Sequence, residues 1–135
     1  MRVRDKCKTE FTREELLDIL NDFLKYKPAF DKDSSNDIQI SRFKAAHCFT
    51  RLLYNYEVLD RDMFSNLKII REKYGKKYIN DLSKEKLDFL EIITIFTFIH
   101  RADRHDGHDG WYLGCIEDNT YYNLLCRMEE IKNEL

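Results

Sequence analysis

The chain has 135 residues, enough for one ordinary domain, and its 23 basic and 25 acidic side chains leave a net charge of −2. That balance lacks the strongly basic footprint of a typical nucleic-acid-binding domain. Four glycines and one proline are too few for a sandwich, a barrel, a glycine-rich phosphate fold or a disordered linker protein.

One tryptophan, eight tyrosines and nine phenylalanines within a 43% hydrophobic composition supply an ample core. The opening Met1 to Lys8 is basic with no apolar stretch behind it, so no secretory signal is expected. We read residues 1–135 as a single helical domain, with 1–10 as a basic N-terminal arm. The longest apolar stretch, Phe89 to Ile99, is too short for a membrane span and carries Glu91. Cys7, Cys48, Cys115 and Cys126 form no CxxC pair, which leaves zinc-ribbon and thioredoxin readings without support and suits reduced thiols in a cytoplasm. The excess of Ile and Lys over Ala and Val suggests an AT-rich bacterial or phage genome.

In chain order, the first helix starts at Thr12, with Glu15 as capping-box partner and Phe11 and Leu16 as hydrophobic staple. Leu16, Leu17, Leu20, Phe23 and Leu24 follow at helical spacing, and Pro28 stops the run. Asp31 to Asp37 reads as a polar loop, Ile38 to Ile40 as briefly extended, and Ser41 as the cap of a second helix. Its inward face would carry Phe43, Ala46, His47, Thr50, Leu53 and Tyr54. A third helix runs from about Asp60 to Tyr74, with Met63, Phe64, Leu67, Ile70 and Tyr74 facing in and Gly75 as C-terminal cap. Lys68 to Lys77 holds five basic residues and one acid; such a run reads as a solvated face.

Ser83 is expected to open the fourth, central helix, which is apolar nearly all round. At 100° per residue, Thr94, Thr97 and Arg101 fall at about 300°, 240° and 280° from Glu91. This polar stripe reads either as a solvent face or as the wall of a polar cavity. A short helix over Trp111 to Ile116 and a last helix capped by Thr120 complete the chain. The last helix would bury Tyr121, Leu124, Leu125, Met128, Ile131 and Leu135. The fold expected is all-α, a compact bundle of five or six helices.

Between His100 and Trp111 lie three of the four histidines, three aspartates, two arginines and the single tryptophan. The tandem His-Asp-Gly units at 105–107 and 108–110 are too polar and glycine-rich for core packing. Three chemistries compete there. His105, Asp106, His108 and Asp109 can ligate zinc, manganese or iron, although neither HExxH spacing nor a second cluster accompanies them. A His–Asp pair can do acid–base work beside an arginine, but no nucleophile motif or phosphate-cradling loop is present. Alternatively, Arg101, Asp103 and Arg104 form a buried charge network, structural or with an arginine left free to grip phosphate or carboxylate.

The stretch Leu90 to Met128 strings together an apolar helix, Arg101-Ala102-Asp103-Arg104, Gly110, Glu117-Asp118-Asn119 and Leu124-Leu125-Cys126-Arg127-Met128. It resembles the C-terminal signature of the bacterial DUF6508 family: Arg-x-Glu-Arg-Phe, a Gly-ended turn, a short helix, Glu-x-Gly and Leu-x-Arg-Leu. The resemblance matches Arg101, Asp103, Arg104, Gly110, Glu117 and Arg127, under a third of the chain. Asp103, His105 and Asn119 depart from the family's usual Glu, Phe and Gly, and the HDGHDG turn is longer. It implies a small helical bacterial or phage protein and says nothing about substrate.

The reading favoured from sequence is a non-enzymatic protein that binds an anionic, nucleotide-like small molecule. Its pocket would be walled by Arg101, Asp103, Arg104 and Trp111, joined by Glu91 and Arg127. Arginine would hold the anion, Trp111 would stack on a planar group, and Asp103 would orient an arginine or accept a sugar hydroxyl. No cofactor is expected unless the His/Asp loop takes a metal. A metal-dependent hydrolase and a phage or mobile-element protein that blocks a host defence protein are the alternatives. Exposed aromatics at Tyr54 and Tyr56 or at Tyr121 and Tyr122 would point to the latter. Membrane and nucleic-acid partners are not expected; self-association is open.

Overall fold

The computed structural model describes residues 9–31, 36–106 and 110–135, with the side chains at 36–39, 105 and 106 outside that description. The first helix, α1 (Arg13–Leu24), opens on the expected capping box. The Glu15 N–H donates to Thr12 Oγ1 at 3.1 Å, and Glu15 Oε1 accepts from the Thr12 N–H at 3.2 Å. Pro28 ends the run inside a 3-10 turn at Lys27–Ala29.

Helix α2 (Asn36–Asn55) begins upstream of Ser41, so Ile38 to Ile40 is helical rather than extended. The strand preference of two isoleucines is worth a few tenths of a kcal/mol each, and continuity of a 20-residue helix overrides it. Its buried stripe is Ala45, Ala46, Phe49, Leu52 and Leu53, while His47 and Tyr54 are exposed. Helix α3 (Met63–Tyr74) ends as expected at Gly75, whose φ of +64° is the left-handed conformation glycine adopts most easily. Met63, Asn66, Leu67 and Ile70 face inward; Phe64, expected among them, is 73% exposed.

A five-residue helix, α4 (Ile79–Ser83), is the element missing from the expected five or six, since it is too short to show a period. Ser83 closes it, donating from Oγ to the Asn80 carbonyl. The central helix α5 (Phe89–Asp106) opens instead at Asp88. There the Glu91 N–H donates to Asp88 Oδ1 at 2.7 Å and the Asp88 N–H donates to Glu91 Oε1 at 2.9 Å, a second capping box. Helix α6 (Gly110–Glu117) covers the predicted short helix, and α7 (Thr120–Glu134) ends the chain. Thr120 is the first helical residue rather than the cap. Asn119 holds that place at φ +66°, and Asp118 Oδ1 accepts from both the Thr120 N–H and hydroxyl.

The fold is all-α, with seven α-helices and no strand among the described residues. Helix α5 is its axis, packing against α2, α3, α6 and α7. Phe96 meets Phe23 of α1, Phe49 of α2 and Tyr121 of α7, with ring centroids 5.2 to 5.8 Å apart. Removing such a ring typically costs about 3–5 kcal/mol. No described helix is long and apolar enough to cross a membrane.

The polar stripe of α5 is buried over Glu91, Thr94 and Thr97 and reaches solvent only at the half-exposed Arg101. Glu91, Thr94 and Thr97 are at most 1% exposed and face α3. There the wholly buried Asp60 carboxylate accepts from Thr94 Oγ1 at 2.6 Å, Asn66 Nδ2 at 2.9 Å and the Asp62 N–H at 3.0 Å. The Asp60 N–H donates to Thr97 Oγ1. A buried carboxylate is tolerated because these donors replace water.

Candidate functional site: an aromatic groove with a basic rim

Asp103 is buried, yet it does not pair with its neighbouring arginines. Its Oδ1 accepts from the Trp111 N–H at 3.0 Å and the Tyr112 N–H at 3.2 Å, which fastens the first turn of α6 to the end of α5. The charge network expected among Arg101, Asp103 and Arg104 is not formed among the described residues: Arg104 is exposed and Arg101 half-exposed. Asp103 positions Trp111; it orients no arginine.

The other predicted wall residues lie elsewhere. Glu91 is ten residues before Arg101, roughly 15 Å along α5. Its carboxylate takes the Tyr74 hydroxyl at 2.8 Å and Lys73 Nζ at 3.1 Å in addition to the Asp88 N–H. Burial pushes its pKa up, but the Asp88, Tyr74 and Lys73 bonds together hold it below the usual carboxylate value. Arg127 is buried too, and its Nε donates to the Leu87 carbonyl at 2.7 Å. It lines a separate depression with Ser83, Asn123 and Glu130. Glu91 and Arg127 thus serve the packing of α5 and α7 and do not share a pocket with Trp111. The side chains of His105, Asp106, His108 and Asp109 lie outside the described residues. Among those described, no group of three or more His, Cys, Asp or Glu is placed to hold a metal ion.

What Trp111 does wall is an open groove of about 360 Å³ between α3, α5 and α6, bordered by Arg71, Lys77, Tyr78, Phe98 and Asp118. Trp111 and Phe98 meet edge to face, centroids 5.3 Å apart at 89°, leaving ring surface along one wall. Arg71 comes to 5.9 Å from the Phe98 ring and its Nε donates to the Lys77 carbonyl at 2.9 Å, which aims the guanidinium across the groove. Beyond that bond, neither Arg71 nor Lys77 has a carboxylate partner among the described residues. Asn80 ties the rim together by donating to the Asp118 carbonyl and Thr120 Oγ1. The Cys115 thiol beneath is pushed up to about 12, chiefly by burial, so it stays protonated and unreactive.

Sequence reasoning placed Trp111 in the site and missed Arg71, Lys77, Tyr78 and Phe98. The signal available was the basic run from Lys68 to Lys77, but its proximity to Trp111 is purely tertiary. On the other side of α6, Tyr112 joins Thr50, His100 and Tyr54 in a hydrogen-bonded chain with spacings of 3.0, 3.1 and 3.3 Å. Burial first, then the Arg104 and Arg101 charges, lower the His100 pKa, with Asp103 opposing.

No family model, curated protein or solved structure matches the chain.

Proposed function

We propose that the protein is a non-enzymatic binder of a planar, anionic, nucleotide-like small molecule, held in the groove between α3, α5 and α6. The observation that carries this reading is the pairing of an aromatic wall, Trp111 and Phe98, with two cations, Arg71 and Lys77, that no described carboxylate neutralises. The volume falls within the usual range for small-molecule sites. A base would lie against Trp111 while the Arg71 guanidinium takes the phosphate, in the role sequence reasoning gave to Arg101 and Arg104. Of the described side chains that line the groove, the Cys115 thiol is held protonated by burial and Asp118 accepts from Thr120, which suits binding rather than reaction. Of the alternatives, a metal-dependent hydrolase rests on side chains outside the described residues. A blocker of a host protein is supported by Tyr54 at 47% exposure but not by Tyr121, which is buried. The DUF6508 resemblance adds a bacterial or phage setting to the proposal.

Calorimetric titration with nucleoside monophosphates and the matching nucleosides tests it. A charge-assisted hydrogen bond contributes about 1.5–3 kcal/mol, so Arg71→Ala should weaken monophosphate binding by roughly 10- to 150-fold and leave nucleoside binding unchanged. Equal binding of nucleoside and monophosphate, or an Arg71→Ala variant that binds as tightly as wild type, would overturn the reading.

A further inference from the structure

The groove does not stop at Arg71. On α3, Phe64, Lys68 and Arg71 fall within an arc of about 60° over eight residues, a strip roughly 10 Å long, and the exposed Arg61 lies in the turn that precedes the helix. Phe64 and Tyr78, at 73% and 66% exposure, are the two most exposed large apolar side chains of the described residues. Asp60 bonds Thr94 and Thr97 at one end of α3, and Tyr74 bonds Glu91 at the other. The two helices therefore run in opposite directions, and it is the Arg71 end of the strip that meets Phe98 and the groove. None of Arg61, Lys68, Arg71, Lys77 and Arg101 has a carboxylate partner among the described residues. Lys73, by contrast, is committed to Glu91. Glu72 and Asp62 flank the strip, and Asp118 at the groove is occupied in capping α7.

The balancing negative charge sits elsewhere, with Glu14, Glu15, Asp18 and Asp22 on α1 and Glu129, Glu130 and Glu134 on α7. A nearly neutral chain thus carries a face, flanked by Asp62 and Glu72, on which the exposed Phe64 and Tyr78 lie among cations that pair with no carboxylate among the described residues. Rings that offer stacking surfaces between cations that take phosphates are the parts list for a single-stranded polynucleotide. An acidic peptide would use the charges but leave Phe64 and Tyr78 without a planar partner.

We infer that the groove is the anchoring end of a longer track for single-stranded nucleic acid, one base resting on Trp111 and the following phosphates running along Lys68 and Arg61. This inference rests on the proposed function and extends it along α3. The test is fluorescence anisotropy with a labelled 12-nucleotide single strand, competed by a nucleoside monophosphate, by a duplex of equal length and by polyglutamate. The single strand should bind at least tenfold more tightly than the monophosphate. Three phosphate contacts should give a log–log salt slope of about −2. Phe64→Ala and Lys68→Glu alter exposed positions that the fold does not use. Each should weaken the single strand by at least fivefold while leaving monophosphate binding unchanged. A single strand that binds no better than the monophosphate, or is untouched by both substitutions, overturns the track and leaves the groove standing. A duplex or polyglutamate that competes as well as the single strand overturns the choice of nucleic acid. Binding of neither single strand nor monophosphate removes the groove as well.

Discussion

Asp103 is the residue through which the end of α5 holds the site's tryptophan, and substitutions there separate two accounts of this region. In the structure Asp103 caps α6, and no described bond joins it to Arg101. Asp103→Ala would orphan two backbone donors, one of them on the buried Tyr112. Losing such a cap costs about 0.5–2 kcal/mol, and a buried unsatisfied donor about 1–3 kcal/mol. These overlap, so a loss of about 1.5–3 kcal/mol is expected. For a chain of this size that is a fall in Tm of roughly 5–15 °C. Asp103→Asn keeps an acceptor suited to the cap and should lose less than about 1 kcal/mol. Arg101→Ala, at a half-exposed position whose side chain makes no bond among the described residues, should stay within about 0.5 kcal/mol of wild type. Urea unfolding of the three variants measures all of this. If Arg101→Ala costs as much as Asp103→Ala, the two form a buried pair and the cap assignment fails. If Asp103→Asn is as damaging as Asp103→Ala, the charge matters rather than the hydrogen bonds.

Asp60→Ala should be among the most destabilising substitutions, at about 3 kcal/mol or more, because it strands Asn66, Thr94 and the Asp62 N–H in a dry seam; a loss below about 1 kcal/mol in urea unfolding would contradict the seam. Gly75→Ala should cost about 1–2 kcal/mol from backbone strain alone, since φ is +64° and no atom lies within 4 Å of the added Cβ; Gly75→Asn should cost less, and thermal melts of the pair decide it. His100 has a folded pKa below its unfolded value of about 6.5. The unfolded chain therefore binds the extra proton, so this contribution to stability is complete above about pH 6.5 and declines as pH falls toward the folded value. Melts of wild type and His100→Gln from pH 8 to 5.5 should show their difference shrinking with acidity; a constant difference would refute the shift.

The features read correctly from sequence were those written in short-range chemistry. The Thr12–Glu15 box, Pro28 and Gly75 each act within one turn, so the residues that cause the feature adjoin it. The missed start of α5 was equally local: Asp88 and Glu91 have capping-box spacing, but Ser83 offered an earlier plausible cap. Burial was harder. Phe64 resembles any inward aromatic, and only the packing of α3 on α5 shows that Asn66 takes the inner place, where it serves Asp60. The site followed the same division. Trp111 stood out by its rarity and by the polar segment before it. Glu91 and Arg127 looked functional because a charged residue among apolar ones demands a partner; they have partners, in Lys73, Tyr74 and the Leu87 carbonyl. Arg71 and Lys77 looked like solvated surface because their relation to Phe98 and Trp111 spans more than twenty residues of chain.

The most direct measurement of the central claim uses the protein's single tryptophan, Trp111, as its own reporter. Titrating a nucleoside monophosphate into the wild-type protein should quench its emission in a saturable way as the base stacks on the indole. The same titration into Arg71→Ala should need roughly 10- to 150-fold more ligand for the same quenching, the loss expected for one charge-assisted hydrogen bond. Emission that does not change in wild type, or quenching that is identical in Arg71→Ala, would contradict a nucleotide-binding groove at this place in the fold.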